Sequence, residues 1–193
     1  MLSYKDVPKA VDMIPYADFY RKHVNRAIRE NPNPEEVFRV VELGTRFGCS
    51  ARILLDIMRE YSGKWELILV DIEKKGTVDE LLTVPEVSFR REDAEAIAHS
   101  FDTRSINVLH VDLDPHTEEQ TDYIVKLYRG KIAAEGVILF HDASDSFGVK
   151  ASVEKIGSMK GWTLEFCKPD SSSPISVPAA AMKEVTSPFG RKS

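Results

Sequence analysis

The stretch VFRVVELGTRFGCS, which runs from Val37 to Ser50, decides the fold of this chain. It begins with a mostly apolar run, which is typical of a buried strand, and Glu42 closes that run. Gly44 and Gly48 follow, and Ser50 is a residue type that caps helices. Apolar residues then recur with the helical period at Ile53, Leu54, Ile57, Met58 and Tyr61. A strand, a glycine turn and a helix in this order form half of a mononucleotide-binding unit.

The alternation of apolar strands with helical segments continues through the rest of the chain. Later strands are predicted at Leu67–Val70, Val87–Arg90, Ile106–Val111, Val137–Phe140 and Trp162–Cys167, with a last one inside Ile175–Val185. Helices are predicted around Val78–Leu82, after Glu92, from the Thr117–Gln120 capping pair through Ile132, and from Val149 to Ile156. We therefore expect an α/β fold: a single-domain Rossmann-like sheet, mostly parallel, with helices on both faces and a C-terminal antiparallel hairpin at one edge.

The α/β core is predicted to span residues 37–185, followed by a tail of residues 186–193. Residues 1–36 precede it and carry an amphipathic stripe from Ala17 to Ile28, which the Asn31–Pro34 segment ends. This N-terminal segment either packs as a helix on the sheet or forms a lid over a ligand. Tyr16 and His23 lie in it without a pattern that decides between the two.

Composition and charge narrow the class of protein. The chain has 193 residues, which is enough for one domain with a full core. Its formal net charge of -5 argues against a general nucleic-acid binder, which normally shows a basic face. No apolar run approaches the ~20 residues that a membrane span requires. Cys49 and Cys167 are far apart and read as reduced thiols, and the start lacks a signal-peptide core, so we expect a cytoplasmic protein.

Acidic residues and histidines collect where the predicted strands end. They are Glu42, Asp71, Asp93, Asp112, Asp114, His141 and Asp142. Any one of them could be a helix cap or a solvated loop residue. In an open α/β sheet, however, ligands bind beyond the carboxyl ends of the strands, so the set as a whole predicts a binding site at that edge.

The glycine turn discriminates between nucleotide ligands. A dinucleotide fingerprint requires a second glycine where the backbone approaches the pyrophosphate, and here Arg46 stands at that position. Asp71, at the end of the next strand, can accept hydrogen bonds from both hydroxyls of a ribose. Asp93 is placed to face a base. The pattern favours a nucleoside ligand that is neither NAD nor ATP.

These residues resemble a known family. Val40–Gly44 with Gly48 and Ser50 is similar to the first motif of class I S-adenosylmethionine-dependent methyltransferases. Asp71 matches that family's ribose-binding acid, and Glu92–Ala94 resembles its adenine-side motif. Val111–His116, Asp122 and Glu135–Asp142 are similar to a subgroup of small-molecule O-methyltransferases, relatives of macrocin- and cephalosporin-pathway enzymes. The resemblance covers about Phe38 to Cys167.

The resemblance implies a set of functional residues. The cofactor, S-adenosyl-L-methionine, is expected at Glu42, Gly44, Gly48, Ser50, Asp71, Asp93 and Asp112. A divalent metal, Mg²⁺ or a transition metal, is expected at Asp112, His141 and Asp142, because metal-dependent members place ligands there. His116 and His141 are the candidate catalytic residues, since an unperturbed imidazole pKa suits proton abstraction at neutral pH.

The Asp112–His116 loop is one residue longer than in the family, which leaves open whether Asp112 or Asp114 is the equivalent acid. Our prediction is a methyltransferase that uses S-adenosylmethionine to O-methylate a small hydroxylated molecule, with or without a metal. A nucleoside-binding module without catalysis and an NAD-type oxidoreductase are the alternatives. We expect a small-molecule acceptor, no nucleic acid and no membrane, and the edge strands near Trp162 and Ile175 could pair with another copy.

Overall fold

The structure is a computed structural model that describes residues 13–144, 147–159, 161–167 and 179–184. The predicted tail, the loop from Pro169 to Pro174, and residues 1–12 of the N-terminal segment lie outside the described residues. Among the helices of the described part, none is long and apolar enough to cross a membrane.

The described residues form one seven-stranded sheet with helices on both faces. The strands are β1 (Phe38–Leu43), β2 (Trp65–Asp71), β3 (Val87–Arg91), β4 (Ile106–Val111), β5 (Ile132–Phe140), β6 (Trp162–Cys167) and β7 (Ala179–Glu184). The helices are α1 (Ala17–Glu30), α2 (Cys49–Met58), α3 (Ala94–Ala98), α4 (Glu118–Tyr128) and α5 (Gly148–Gly157). This is the predicted single α/β domain.

The strand order is β3-β2-β1-β4-β5-β7-β6. The first five strands in this order pair in parallel, and β7 pairs antiparallel with both β5 and β6. The predicted antiparallel pair at one edge is therefore confirmed. The last strand, β7, lies inside the sheet and leaves β6 at its edge.

Two apolar layers hold the helices on the sheet. Val40, Leu67 and Val108 point toward α1 and α2, whereas their chain neighbours Val41 and Ile68 point toward α3, α4 and α5. This alternation follows from the two-residue period of a strand. Burial of each such side chain contributes roughly 1.5–3 kcal/mol, so both layers anchor the strand ends that carry the polar residues.

Several predicted boundaries differ from the structure. The helix that was predicted to begin at Ser50 begins at Cys49, with Gly48 as its N-cap at φ +75°, and it ends at Met58. The region around Val78–Leu82 forms two short 3₁₀ turns rather than one helix. Ile132, predicted to be helical, opens β5, because the turn Arg129–Lys131 already ends α4. Gly136 therefore lies within a strand.

The described part of the N-terminal segment packs on the sheet. Tyr20, Val24 and Ala27 of α1 are buried in the same layer as α2. The residue that precedes α1 nevertheless reaches the carboxyl ends of the strands, because the Tyr16 ring meets the His141 ring edge-on at 5.6 Å between centroids.

Candidate functional site

A cavity of about 410 Å³ opens at the carboxyl ends of β1, β2 and β4. Four of the predicted cofactor residues line it: Gly44, Asp71, Asp93 and Asp112. Other lining residues include Arg46, Ile72, Glu73, Lys75, Glu92, Glu95, Leu113, Asp114, Gln120 and Tyr123. The structure thus gathers residues from four separate loops at the edge where the sequence predicted a site.

Gly44 marks the point where two loops of the site touch. Its φ is +86°, and a Cβ built on it would lie 1.9 Å from the carbonyl oxygen of Asp112. The backbone N–H of Asp112 in turn donates to the carbonyl of Leu43 at 2.9 Å. Only glycine allows this approach, because any side chain would meet backbone and the left-handed conformation would be strained.

Asp71 connects the two rims of the cavity. Its Oδ2 accepts the backbone N–H of Arg46 at 2.7 Å, and its Oδ1 accepts that of Glu73 at 3.0 Å. Arg46 has a φ of +47°, so the turn that replaces the dinucleotide glycine is left-handed. A carboxylate offers about four acceptor positions, and roughly two therefore stay available to a ligand.

Asp93 combines the two roles that the sequence allowed. Its Oδ1 accepts the backbone N–H of Glu95 at 2.7 Å and caps α3, while the residue also lines the cavity. The hydrogen bond that caps α3 therefore fixes the position of the Asp93 carboxylate at the cavity.

Glu42, Ser50 and Gly48 lie behind the cavity and do not line it. Glu42 is fully buried, and its Oε1 accepts the Ser50 hydroxyl at 2.5 Å. A Cβ on Gly48 would lie 2.9 Å from Leu81, so this glycine allows close packing of the segment after β2. These three residues therefore support the conformation of the glycine turn without lining the cavity.

A buried polar chain runs from Glu42 into α1. His110 lies directly opposite Glu42 on β4, with its Nδ1 3.3 Å from Glu42 Oε1. On its other side, Nε2 of His110 hydrogen-bonds the Tyr20 hydroxyl at 2.9 Å. Both Glu42 and His110 are 0% exposed. These contacts thus connect the glycine turn, the strand β4 that precedes Asp112, and the N-terminal helix.

A second group of ionisable residues adjoins the cavity at Asp112. His116 Nε2 lies 3.3 Å from Asp112 Oδ1 and 3.0 Å from Asp142 Oδ2. His141 Nδ1 lies 3.5 Å from Asp112 Oδ1 and 3.2 Å from Asp142 Oδ1. We call these four residues the Asp–His cluster. His116 and Asp142 have φ values of +57° and +55°, a strained conformation that is frequent at functional sites.

Mutual contacts shift the titration of the Asp–His cluster. Hydrogen bonds to Asp112 and Asp142 raise the pKa of His116 to about 9. Burial would lower the pKa of His141, but its close contacts with the same two carboxylates outweigh burial and raise the pKa to about 10. Burial opposes ionisation of Asp142 too, yet bonds from both histidines hold its pKa at about 2. At neutral pH both imidazoles are therefore protonated.

This protonation changes the expectation for the general base. The sequence predicts an ordinary imidazole pKa for His116, whereas the carboxylate neighbours of this residue raise its pKa. As a base, His116 acts only in the neutral form, so its raised pKa places that form in the alkaline range.

The structure also distinguishes Asp112 from Asp114. Both residues line the cavity, but Asp112 contacts both histidines, whereas the Asp114 side chain is 82% exposed and contacts Nδ1 of His116. Asp112 is therefore the one of the two acids that belongs to the Asp–His cluster by contact with both histidines.

Among the described residues, ligand atoms of Asp112, His116 and Asp142 lie within 4.8 Å of one another, a spacing that could hold a metal ion. This group contains His116, whereas the sequence prediction named His141 with the same two acids. One nitrogen and two carboxylate oxygens suit a transition metal better than Mg²⁺, which prefers oxygen ligands only.

Sequence reasoning missed the polar chain and the rim residues. His110 stands in a fully buried strand opposite Glu42, and a histidine in a mostly apolar run is the signal that could have found it. Lys75 and Tyr123, which line the cavity, carry no comparable pattern because they reach it only through loop and helix packing.

The chain was compared with known proteins. The model of a family described as a methyltransferase domain matches residues 41–143. No curated protein is matched by the sequence. Among solved structures, an rRNA methylase from Streptococcus thermophilus has 11% identity and a TM-score of 0.64, over 88% of this chain and 95% of that chain.

Two further solved structures have a similar fold and are assigned other reactions. A Staphylococcus aureus protein assigned as a caffeoyl-CoA O-methyltransferase has 12% identity and a TM-score of 0.60, over 87% of this chain and 82% of that chain. A Corynebacterium glutamicum protein assigned as a spermidine synthase has 18% identity and a TM-score of 0.62, over 93% and 67%. At these identities the likeness shows the fold, which by itself assigns no reaction.

Proposed function

Because this chain belongs to the methyltransferase-domain family, we propose that it transfers the methyl group of S-adenosylmethionine to a hydroxyl group of a small molecule. The observation that carries the proposal is the double position of Asp112. Asp112 lines the 410 Å³ cavity and also belongs to the Asp–His cluster. A methyl donor in the cavity and an acceptor at the cluster would thus be neighbours, as an in-line transfer requires.

The residues of the cavity fit the cofactor. Gly44 leaves backbone exposed at the turn for the methionine part, and Asp71 keeps acceptor positions for the ribose hydroxyls. Asp93 and Ile72 stand at the far wall, beside the expected place of the adenine. S-adenosylmethionine supplies a sulfonium methyl group that an acceptor oxygen can displace.

The Asp–His cluster fits the acceptor side. The acceptor oxygen forms a bond to the methyl carbon as the carbon–sulfur bond breaks, and the hydroxyl proton must leave. Asp112 and Asp142 are ionised and can hold an acceptor hydroxyl by a hydrogen bond. His116 can take the proton once it is neutral.

A divalent cation is compatible with the same cluster. Asp112, His116 and Asp142 would hold it, and their mixed oxygen and nitrogen donors suit Mn²⁺, Fe²⁺ or Zn²⁺. When bound, such a cation would lower the pKa of an acceptor hydroxyl and replace the protons on the imidazoles.

A labelled-methyl assay tests the proposal. S-adenosylmethionine with a radiolabelled methyl group is offered with a panel of catechols, hydroxylated sugars and hydroxylated peptides, with EDTA and with added Mn²⁺. We expect transfer to at least one class, and loss of transfer in Asp112→Asn. Full turnover in EDTA would show that the reaction needs no divalent cation. Cofactor binding without transfer to any class would favour a nucleoside-binding module.

A further inference from the structure

Arg52 is a buried arginine that the proposed chemistry does not use. It lies in the first half of α2, behind the cavity, and is 3% exposed. Its Nη2 donates to the carbonyl of Thr77 at 2.9 Å and contacts Glu80 Oε2 at 3.0 Å. Its Nε and Nη1 have no hydrogen-bond partner among the described residues. Only one of the three guanidinium nitrogens therefore has a hydrogen-bond partner among the described residues, and the group is almost fully buried.

Stability alone does not explain this residue. Removal of one partner of an ion pair is costly when the other charge stays buried, but here the partner, Glu80, has a 56% exposed side chain that water can solvate. The neighbouring positions of α2, Ile53 and Leu54, are apolar and fully packed, so a methionine at position 52 would suit the same layer. The two unpaired N–H groups add a desolvation cost.

The groups that Arg52 contacts belong to the segment between β2 and β3. This segment, residues 72–83, is also held at two other points on the glycine turn side. The Thr77 hydroxyl donates to the carbonyl of Phe47 at 2.9 Å. Leu81 packs so closely on Gly48 that a Cβ there would lie 2.9 Å from its Cδ1. The contacts of Arg52 are the third attachment of this segment, and of the three they are the charged one.

The same segment forms one wall of the cavity. Ile72, Glu73 and Lys75 line it, a few residues before the Arg52 contacts. The Glu73 backbone also donates to Asp71, which connects the wall to the opposite rim. The position of Thr77 therefore decides where this wall stands relative to Asp71.

We infer that Arg52 is a positioning residue for the cofactor: it anchors residues 72–83 through Thr77 and Glu80, and so fixes the adenosine wall of the cavity. The inference rests on the proposed function, because it takes an adenosine ligand as the occupant. Arg52 itself does not line the cavity, and it acts through the segment that it holds.

Calorimetric titration with S-adenosylhomocysteine, together with thermal unfolding, tests this role. In Arg52→Met we expect the Kd for S-adenosylhomocysteine to weaken about tenfold or more, because one charge-assisted contact to the segment is lost. The Tm should stay unchanged or rise. Arg52→Lys can still reach the Thr77 carbonyl, so its Kd should lie between that of Arg52→Met and that of the unmodified protein. Hydrogen exchange should become faster in residues 72–83 of Arg52→Met and stay unchanged in α5.

Arg59→Met is the matched control. Arg59 follows α2 at its other end, has a 41% exposed side chain, and contacts Asp56 at 3.9 Å. Its loss should change the Kd for S-adenosylhomocysteine by less than about twofold.

The outcomes separate this inference from the proposed function. If the unmodified chain does not bind S-adenosylhomocysteine, the proposed function fails and the role of Arg52 falls with it. If the unmodified chain binds and Arg52→Met binds equally well, the role of Arg52 alone is overturned. A parallel fall of Tm and affinity in both variants, without partial rescue by lysine, would also overturn it, because that pattern belongs to a stability residue.

Discussion

The Tyr20 hydroxyl lies 2.9 Å from Nε2 of His110, and this contact connects the N-terminal helix to the strand that precedes Asp112. Both side chains are 0% exposed, and Glu42 contacts the far side of the same imidazole. A hydrogen bond in such surroundings is costly to break, because the remaining partner stays buried. The contact therefore places α1 in a fixed position beside the site.

Removal of the Tyr20 hydroxyl should destabilise the fold. Tyr20→Phe keeps the ring but leaves the His110 nitrogen without its partner, so we expect a loss of roughly 1–3 kcal/mol. Urea unfolding measures it. Tyr123→Phe, which removes an exposed hydroxyl bonded to Glu95, should have a much smaller effect. Equal effects in the two variants would contradict the importance of the buried contact.

A methyl group at Gly44 should disturb both halves of the site. In Gly44→Ala the added carbon would meet the Asp112 carbonyl, and φ would stay at +86° for a residue that avoids it. We expect a loss of at least about 2 kcal/mol in unfolding free energy and no cofactor binding. At Gly130 nothing lies within 4 Å of an added Cβ, so Gly130→Ala should stay within about 0.5 kcal/mol. Similar losses at both glycines would show that the close approach is not what matters.

Asp71 should be essential for cofactor affinity. Asp71→Asn halves the acceptors that bind Arg46 and Glu73 and removes the charge beside the ribose position. We expect the Kd for S-adenosylhomocysteine to weaken by about 10- to 100-fold in calorimetry, which corresponds to roughly 1.4–3 kcal/mol. Asp102→Asn, an exposed acid away from the cavity, serves as the control. Unchanged affinity in Asp71→Asn would place the ribose elsewhere.

The raised pKa of His116 predicts a pH-dependent contribution to stability. The folded protein holds this proton up to about pH 9, whereas the unfolded chain releases it near about pH 6.5. The stabilisation is therefore complete below about pH 6.5 and is lost as pH rises through about 9, by at most about 1.4 kcal/mol per pH unit.

The stability difference between the unmodified protein and His116→Gln, measured in EDTA, isolates this effect. The difference should be constant between about pH 4 and 6.5 and should shrink above that range. On the acid side it should fall only as pH drops toward the pKa of Asp142 at about 2. A difference that grows with rising pH would contradict the contacts of His116 with the two carboxylates.

The fold was predictable because its determinants are local. The apolar runs, the glycine turn and the Thr117 cap each appear within a few residues, and the cap is present, with Gln120 N–H donating to the Thr117 hydroxyl. Boundaries were harder to predict: Ile132 has the same apolar character in a helix and in a strand, and the turn before it decides.

The sequence predicted the location of the site better than it predicted the contacts between the residues there. Strand ends marked Asp71, Asp93 and Asp112 correctly as neighbours of one cavity. The burial of Glu42 and Ser50, by contrast, depends on which face of β1 packs under the turn. The incompletely hydrogen-bonded Arg52 lies in a regular amphipathic helix, where its partners come from a segment more than twenty residues away.

The central claim is that the cavity between Gly44, Asp71 and Asp112 holds S-adenosylmethionine. Parallel calorimetric titrations of the unmodified chain with S-adenosylmethionine and NAD test it most directly. We predict saturable binding of S-adenosylmethionine with one site per chain, competition by S-adenosylhomocysteine, and no binding of NAD. Absence of binding to S-adenosylmethionine, or tighter binding of NAD, would contradict the account.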